Sequence, residues 1–423
     1  MKVTVNPGKL KGILYAPPSK SVMQRYLAAG LLSEGTTIIR NAGDSDDETA
    51  AMQVIASLGA AVHTESKGIV HIRSGGQVSP SSGYIACGES GLAARLFTPL
   101  AALAAVPIDI LGKGTLLSRP METLIRSLQA VGVTVKSSGG RLPLTVTGPL
   151  AVRDIDIDGS ISSQFLTGLL FAFAAAAEKP VTINAVNLQS RPYAELTLQV
   201  LKQFGWDVDM QDDTFTIMPV HRVAADRQVA VEGDWSAAAF WLVGGAIAGS
   251  VQVAGLELDS LQADRTVLDA LKLAGIAVES NPDFLRSACG ELQSFAFDAS
   301  HCPDLFPILS ILAAAAKGQS RIMGVSRLLH KESNRAKAIM EMLEQFGVTS
   351  FIAQDTLHIE GTGRLQKAEI DSFGDHRIAM AAAIGAVIAS GPVVIHGAGS
   401  VAKSYPRFFH DLASMNIELQ IHK

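Results

Sequence analysis

The chain has 423 residues, of which 48% are hydrophobic and 18% are charged, and its formal net charge is −5. This length exceeds what a single ordinary hydrophobic core accommodates, so we expect two domains. The negative net charge argues against a general nucleic-acid-binding protein. The most apolar stretch, residues 165–177, is shorter than the ~20 residues that span a bilayer, so it predicts a buried helix and no membrane contact.

The cysteines and the start of the chain indicate a reducing compartment. Cys87, Cys289 and Cys302 are odd in number and have no metal-type spacing. Residues 1–5 lack the pattern of a signal peptide. We therefore expect a cytoplasmic protein.

One pattern recurs six times along the chain. A polar segment is followed by a helix of small apolar residues, then by Gly or Pro and a short β-rich run. The runs begin about 70 residues apart, near Thr36, Pro107, Pro180, Ser250, Gln319 and Pro392. A second helix of each repeat ends at a comparable position, namely Gly59, Gly132, Gly205, Gly275, Gly347 and Asn416. A repeat of this length is a whole supersecondary unit.

The two helices of each repeat differ in character. Residues 378–389 are apolar on nearly every face, so this helix must be surrounded by protein. Residues 121–131 are amphipathic, with Leu124, Leu128 and Val131 at helical spacing, and are followed by Gly132 and a strand over 133–135. Each repeat therefore predicts the order β-α-β-α-β-β. Three such repeats can close around one set of buried helices, with their sheets outside. Six repeats therefore predict an α/β fold of two similar lobes.

The lobe boundaries follow from the mid-chain break near residues 231–234 and from an additional strand at residues 2–5. If that strand pairs in the second lobe, the lobes are discontinuous. We expect one lobe over residues 1–18 plus 234–423, a second over 19–233, and an active site in the cleft between them.

The buried helices begin with polar residues. These starts are residues 19–21, 88–91, 162–164, 234–236, 303–304 and 375–377. Ser and Asp are favoured helix N-caps, and on a single helix they would be only that. Six converging helix starts would instead direct free N–H groups and positive helix ends at one site, which suits phosphates and carboxylates.

Basic residues recur at one register of the amphipathic helices. Arg119, Arg335 and Lys403 lie 12 or 13 residues before the helix-ending position of their repeats, and Asp46 and Ser190 fill similar places. Further cations near the helix starts are Lys20, Arg25, Arg95, Lys331 and Arg377. Guanidinium groups suit carboxylate and phosphate oxygens, so this cluster predicts ligands with at least two anionic groups.

Three carboxylates lie among these cations. Asp304, Glu332 and Asp375 are the candidates for acid–base work, although Asp304 and Asp375 are equally plausible as helix caps. For His376 we expect a structural role, in which the side chain orients a backbone group, and not acid–base chemistry. The sequence has no nucleotide-binding P-loop, no hydrolase triad and no metal-ligand spacing.

Taken in order, these motifs resemble those of the EPSP synthase family, the enolpyruvyl transferases of the shikimate pathway. Each motif alone is weak evidence, but their order along essentially the whole chain is specific. The matching segments are residues 18–25 (PSKSVMQR), 44–47 (DSDD), 88–95 (GESGLAAR), 119–120 (RP), 158–166 (DGSISSQFL), 190–193 (SRPY), 232–234 (EGD), 331–335 (KESNR), 374–377 (GDHR) and 402–403 (AK).

The resemblance implies an inside-out α/β barrel in each lobe and transfer of the enolpyruvyl group of phosphoenolpyruvate to the 5-hydroxyl of shikimate 3-phosphate. Phosphate leaves through a tetrahedral intermediate, and no metal or organic cofactor is expected. The implied phosphoenolpyruvate site is Lys20, Gly91, Arg119, Gln164, Arg335, Arg377 and Lys403. The implied shikimate 3-phosphate site is Ser21, Arg25, Ser162, Ser163, Gln164, Ser190, Tyr193, Asp304, Arg327 and Lys331. Asp304 resembles the base for the hydroxyl, whereas Glu332 and Lys20 resemble the groups that move protons at the enolpyruvyl carbons and the leaving phosphate.

Three positions depart from the family pattern. Glu89 stands where Asn is frequent beside the phosphoenolpyruvate site, Leu92 replaces Thr, and Arg327 replaces an Asn that contacts the shikimate phosphate. A carboxylate at position 89 would weaken anion binding unless it pairs with an arginine such as Arg119 or Arg377.

Other interpretations remain open at this point. A UDP-N-acetylglucosamine enolpyruvyl transferase has a similar fold, but it usually carries a reactive Cys on the loop that matches residues 112–118, which have none. An RNA-phosphate cyclase would require nucleotide binding and a basic face for RNA, and the sequence shows neither. A non-catalytic repeat scaffold has no reason to gather acids and cations at one end of its buried helices. We expect a monomer that acts on small-molecule substrates.

Overall fold

The computed structural model describes residues 1–65, 68–160, 163–220, 226–329 and 331–422. The chain divides into two compact units. Met1–Pro17 and Gly233–Lys423 form one, here called the terminal unit because it contains both chain ends. Pro18–Glu232 form the other, here called the central unit.

Helices and strands are mixed along the whole described chain. The α-helices are α1 (Lys20–Leu32), α2 (Asp46–Ser57), α3 (Gly91–Ala101), α4 (Glu122–Ala130), α5 (Ser163–Ala176), α6 (Arg191–Gln203), α7 (Trp235–Ala248), α8 (Val267–Leu273), α9 (Phe306–Ala315), α10 (Arg335–Gln345), α11 (His376–Ala386) and α12 (Phe408–Ser414). Short 3₁₀ turns lie at Gly114–Ser118, Ala263–Thr266, Pro303–Leu305, Val325–Leu328 and Ala398–Lys403.

The strands are short. They are β1 (Lys2–Val5), β2 (Leu10–Tyr15), β3 (Glu34–Arg40), β4 (Ala61–Thr64), β5 (Ile69–Gly75), β6 (Tyr84–Ala86), β7 (Pro107–Leu111), β8 (Thr134–Ser138), β9 (Arg141–Thr147), β10 (Ile155–Asp158), β11 (Val181–Val186), β12 (Val208–Gln211), β13 (Thr214–Ile217), β14 (Arg227–Ala230), β15 (Gly249–Ala254), β16 (Glu279–Ser280), β17 (Phe284–Ala288), β18 (Ala296–Asp298), β19 (Lys317–Met323), β20 (Ser350–Ala353), β21 (Thr356–Thr362), β22 (Glu369–Asp371), β23 (Val393–His396) and β24 (Leu419–His422).

In the described residues, the central unit has three four-stranded sheets of one design. Their strand orders are β14-β3-β5-β4, β6-β7-β9-β8 and β10-β11-β13-β12. The first two strands of each sheet are parallel, and the other pairs are antiparallel. A parallel pair needs a crossover, which α3 supplies between β6 and β7 and α5 supplies between β10 and β11.

The described part of the terminal unit has the same design, with strand orders β16-β17-β15-β2, β18-β19-β21-β20 and β22-β23-β1-β24. The N-terminal strand β1 pairs with β23 and β24. Strand β2 immediately precedes α1 in sequence but pairs with β15, whereas β14 precedes α7 but pairs with β3. The last strand before each crossing therefore completes a sheet of the unit that the chain is leaving.

Three helices form the core of each unit. Helices α1, α3 and α5 pack on one another in the central unit, as do α7, α9 and α11 in the terminal unit, and all six are buried along almost their whole length. Small residues permit this packing. A Cβ atom at Gly168 of α5 would lie only 2.6 Å from the carbonyl oxygen of Arg95 and 2.7 Å from that of Leu96.

The fold-class prediction is confirmed. The β-rich runs expected at six places are β3, β7, β11, β15, β19 and β23. The predicted helix over 121–131 is α4, and the strand after it begins one residue later than expected. The residues expected to end the amphipathic helices, Gly59, Gly132, Gly205, Gly275, Gly347 and Asn416, all have positive φ. This left-handed conformation ends a helix and suits Gly and Asn.

No described helix is both long enough and apolar enough to cross a membrane.

The close approach of α3 and α5 predicts a stability effect. Gly168→Ala should destabilise the fold by about 1–3 kcal/mol, because the added methyl meets backbone that cannot move aside. Gly75→Ala is the matched control, since no atom lies within 4 Å of a Cβ built at that glycine. Urea unfolding measures both, and equal midpoints for the two variants would contradict the packing described.

Candidate active site

In the central unit, side chains near the starts of α1, α3 and α5 bond to one another. The bonds run from Gln24 Nε2 to Ser90 Oγ at 3.2 Å, from Arg95 Nη1 to Gln164 Oε1 at 2.9 Å, and from Arg25 Nη2 to Thr167 Oγ1 at 3.4 Å. Each pair of core helices is therefore linked at the same end. The convergence of helix starts that the sequence predicts is present within this unit.

Arg25 is a buried cation held by neutral groups. Its side chain belongs to α1, and the residue is only 1% exposed. Within the described part of the chain it donates to neutral oxygens, including Thr197 Oγ1 at 3.0 Å, the Ser21 carbonyl at 2.7 Å and the Tyr193 carbonyl at 3.0 Å. Burial lowers the pKa of Arg25 to about 10. A buried charge without a counter-charge favours an anionic ligand nearby.

Other residues predicted for the shikimate 3-phosphate site lie at the starts of α5 and α6. Ser163 is the first residue of α5 and is buried. Ser190 precedes α6, has φ +55°, and is also buried. Tyr193 lies in the first turn of α6, where its carbonyl accepts from Arg25. Ser162 lies outside the described residues.

Lys20, the first residue of α1, pairs with Asp47, whereas the repeat register had singled out the neighbouring residue Asp46. Its Nζ lies 2.8 Å from Asp47 Oδ2, and both side chains are largely buried. Asp46, which occupies the repeat position of Arg119 and Arg335, is exposed. Ser45 and Glu48 form a capping box at the start of α2. The S-x-x-E spacing is visible in the sequence, and it sets the helix phase that turns Asp47 inward.

The start of α3 carries two guanidinium groups. Arg119 follows the turn Gly114–Ser118 and is buried. A Cβ atom at Gly91 would lie 2.4 Å from Arg119 Nη1 and 3.0 Å from Arg95 Nη1, so a side chain there would displace these guanidinium groups. Arg95 also lies over the ring of Phe165, 5.1 Å from its centre. Two cations at the positive end of a helix, with Gln164 bonded to Arg95, form an anion-binding arrangement.

In the terminal unit, Arg335 is the centre of an ion cluster. It is the first residue of α10 and is fully buried. Its Nε lies 2.9 Å from Asp375 Oδ2, its Nη1 lies 2.7 Å from Asp304 Oδ1, and its Nη2 contacts Glu332. Asp375 also caps α11, because its Oδ1 accepts from the backbone N–H of Arg377 at 3.0 Å. Asp375 is therefore both a helix cap and an ion partner.

Asp304 accepts from three cations. Its Oδ1 lies 3.2 Å from Lys331 Nζ as well as near Arg335, and its Oδ2 lies 3.0 Å from Arg377 Nη2. The side chain is 22% exposed. Burial by itself would raise the pKa of Asp304, but the charges of Arg377, Lys331 and Arg335 outweigh burial and hold that pKa well below its usual value. Asp304 is therefore ionised at neutral pH.

Two further predicted residues lie near this cluster. Lys403 Nζ donates to the carbonyl of Gly374 at 2.7 Å, directly before α11. Arg327 is half-buried in the turn Val325–Leu328. Burial lowers the pKa of Arg327, and the charge of Asp304 opposes that effect. The residues Asp304, Lys331, Glu332, Arg335 and Arg377 are thus brought into direct contact within one unit.

Asp264 was missed by the sequence analysis. It is fully buried in the turn Ala263–Thr266, and Ser236 Oγ donates to its Oδ2. Burial and the charge of Asp304 raise the pKa of Asp264 to about 6. The signal was its position, because Asp264 lies 11 residues before Gly275, close to the register that holds Arg119 and Arg335 in their repeats.

The raised pKa of Asp264 predicts a pH effect on stability. An unfolded Asp titrates near pH 4, so the folded protein binds an extra proton between about pH 4 and pH 6. The free energy of unfolding of the wild-type protein therefore falls as the pH rises through that window. Asp264→Asn lacks this titrating group and does not show the fall. The free energy of unfolding of Asp264→Asn relative to wild type should rise by about 1–3 kcal/mol from pH 4 to pH 7.

Urea unfolding at several pH values measures this difference. Asp269→Asn, on the exposed side of α8, controls for the loss of a carboxylate. A difference between Asp264→Asn and wild type that stays constant across this range would show that Asp264 titrates normally.

Comparison with solved structures identifies the class of fold. An EPSP synthase from Acinetobacter baumannii superposes with a TM-score of 0.83 at 27% identity, covering 99% of this chain and 100% of that chain. An enolpyruvyl transferase from Streptomyces tendae superposes with a TM-score of 0.80 at 16% identity, covering 99% and 98%. The architecture is that of the enolpyruvyl transferases.

Sequence comparison identifies the family. The model of the family described as EPSP synthase (3-phosphoshikimate 1-carboxyvinyltransferase) matches residues 5–412. A 3-phosphoshikimate 1-carboxyvinyltransferase from Thermococcus kodakarensis is 39% identical over 96% of this chain and 97% of its own length. One from Clostridium kluyveri is 34% identical over 99% and 98%. The chain belongs to the EPSP synthase family, as the motifs predicted.

Proposed function

We propose that this chain transfers the enolpyruvyl group of phosphoenolpyruvate to the 5-hydroxyl of shikimate 3-phosphate and releases phosphate. The observation that carries the proposal is the gathering of buried cations at the core-helix starts of a chain in the EPSP synthase family. Both substrates are anions, and both would be held by such groups.

The proposed shikimate 3-phosphate site takes its support from Arg25. A guanidinium fork suits a carboxylate or phosphate, and Arg25 is buried among neutral acceptors. The proposed set is Ser21, Arg25, Ser162, Ser163, Gln164, Ser190, Tyr193, Asp304, Arg327 and Lys331.

The proposed phosphoenolpyruvate site takes its support from the start of α3. Arg119 lies against Gly91 there, beside Arg95, so a helix end and two guanidinium groups reinforce one another. The proposed set is Lys20, Gly91, Arg119, Gln164, Arg335, Arg377 and Lys403. These residues are divided between the two units, so we propose that both units serve one reaction.

The chemistry requires an acid, a base and clamps on two anions. Protonation of the phosphoenolpyruvate methylene makes the adjacent carbon electrophilic, and the 5-hydroxyl oxygen attacks it as its proton passes to Asp304. The tetrahedral intermediate then loses a methyl proton and phosphate, with Glu332 and Lys20 carrying these protons. Cations around the phosphate stabilise its departure. Holding both substrates in place removes up to about 7–11 kcal/mol of the barrier in the best cases.

The ion cluster explains how Asp304 can act as a base. At rest its pKa is depressed by Arg377, Lys331 and Arg335, which makes it a weak base. Ligand anions bound to those cations would oppose their charge and raise the pKa of Asp304. The carboxylate would therefore become a stronger base only once the substrates are bound.

We also propose a cytoplasmic monomer. Cys87, Cys289 and Cys302 are unpaired, which suits a reducing compartment. One chain supplies every residue of both proposed sites, so the reaction requires no partner subunit.

A phosphate-release assay tests the function. Phosphate should appear with phosphoenolpyruvate plus shikimate 3-phosphate and should not appear when UDP-N-acetylglucosamine is the acceptor. No phosphate with shikimate 3-phosphate would reject the proposed reaction, and phosphate with the nucleotide sugar would select the sister transferase.

Replacement of Arg25 tests the shikimate 3-phosphate site. Arg25→Gln should lower kcat/KM for shikimate 3-phosphate by about 100-fold, because a buried charge contact to the ligand is lost. Arg25→Lys, which keeps the charge but not the fork, should fall between Arg25→Gln and wild type. Arg227→Gln is the control, since Arg227 is a partly exposed arginine stacked on Phe204. Circular dichroism checks folding, and unchanged kinetics in folded Arg25→Gln would remove Arg25 from the site.

Replacement of Asp304 tests the proposed base. Asp304→Asn should lower kcat by about 100-fold or more, as is typical when a general base is removed. Steady-state phosphate release at saturating substrates measures it. A kcat within about threefold of wild type would assign proton removal to another group.

A further inference from the structure

The turn that precedes Arg119 is held by a carboxylate from the start of α3. Glu89 Oε2 accepts from the backbone N–H of Thr115 at 3.2 Å and from Thr115 Oγ1 at 3.4 Å. Gly114 has φ +56°, and a Cβ atom there would lie 2.3 Å from the carboxylate carbon of Glu89. The carboxylate is therefore seated on the first residues of the turn Gly114–Ser118, as a cap is seated on a helix start.

Backbone contacts join the same two segments. Lys113 N–H donates to the Gly88 carbonyl at 2.8 Å, and Cys87 N–H donates to the Leu111 carbonyl at 2.9 Å. Arg119 follows the turn directly, and its guanidinium lies back against Gly91. The segment 88–91 thus contacts both ends of the chain stretch that carries Arg119, with Glu89 at one end and Gly91 at the other.

A second repeat uses the same contact. Asp355, in the loop between β20 and β21, accepts from the backbone N–H of Ser326 at 2.5 Å and from Ser326 Oγ at 3.2 Å. Ser326 is the second residue of the turn Val325–Leu328, as Thr115 is of its own turn. That turn carries Arg327. Carboxylates from different parts of the chain therefore cap two turns that present cations.

We propose that Glu89 is a positioning residue that holds the turn Gly114–Ser118 and thereby sets Arg119 for phosphoenolpyruvate. This inference rests on the proposed function of Arg119. A carboxylate engaged by a backbone donor and a hydroxyl is offset by those contacts, so its presence beside an anion site is compatible with anion binding. The alternative is that Glu89 simply repels the substrate, and the two ideas predict opposite effects of neutralising the side chain.

Steady-state kinetics with both substrates varied separates them. Glu89→Ala removes the cap and should raise the KM for phosphoenolpyruvate about tenfold while the KM for shikimate 3-phosphate stays within about twofold. Glu89→Gln keeps an oxygen that accepts the same two bonds, so both KM values should remain within about twofold of wild type. Asp355→Ala is the matched control, and it should raise the KM for shikimate 3-phosphate instead, because it frees the turn of Arg327.

Three results would overturn the inference. A lower KM for phosphoenolpyruvate in Glu89→Gln would show repulsion, unchanged kinetics in Glu89→Ala would show no role, and equal effects on both KM values would show a general structural role. If Glu89→Ala does not fold, Gly114→Ala replaces it, since the added methyl displaces the carboxylate and also strains the turn at its positive φ, which should give the same selective effect. Wild-type turnover is the reference, so its absence would count against the proposed function and not against Glu89.

Discussion

Two fully buried guanidinium groups, that of Arg25 near the start of core helix α1 and that of Arg335 at the start of α10, constrain the structure around them. Arg335 is surrounded by carboxylates of Asp304, Glu332 and Asp375, whereas Arg25 is held by hydroxyl and carbonyl oxygens. Burying a charge is costly unless it is paired or hydrogen-bonded, so each arginine dictates the residues around it. The carboxylates offset the charge of Arg335 within the protein, whereas the described partners of Arg25 are neutral. We propose that an anionic substrate supplies the counter-charge of Arg25.

The apolar core helices of the central unit place Arg25. Because α1, α3 and α5 are rich in small residues, their backbones approach closely, as at Gly168, and side chains near their starts hydrogen-bond to one another. Helix starts have free N–H groups and a positive end, which reinforce nearby cations. The repeated small residues therefore bring the helices together, and the packed helices gather positive charge at their starts. Carboxylates such as Glu89 and Asp355 then hold the turns that present further cations.

Much of this could be predicted from the sequence, because periodicity and helix-ending residues are local signals. The positions of β3 and α4 and the left-handed residue at Gly132 follow from them. That Asp47 and not Asp46 pairs with Lys20 depends on the rotational phase of α2, which the capping box at Ser45 determines. The raised pKa of Asp264 and the contact of Glu89 with Thr115 depend on tertiary neighbours, and no periodic pattern encodes those neighbours.

Hydrogen–deuterium exchange with shikimate 3-phosphate alone tests most directly the claim that the core-helix starts capture the substrate anion. If the helix starts capture this anion, amide exchange should slow at residues 19–25, 163–167 and 190–193, and Arg25→Gln should lose that protection. Protection confined to the outer sheets, or the same protection in Arg25→Gln as in wild type, would contradict it.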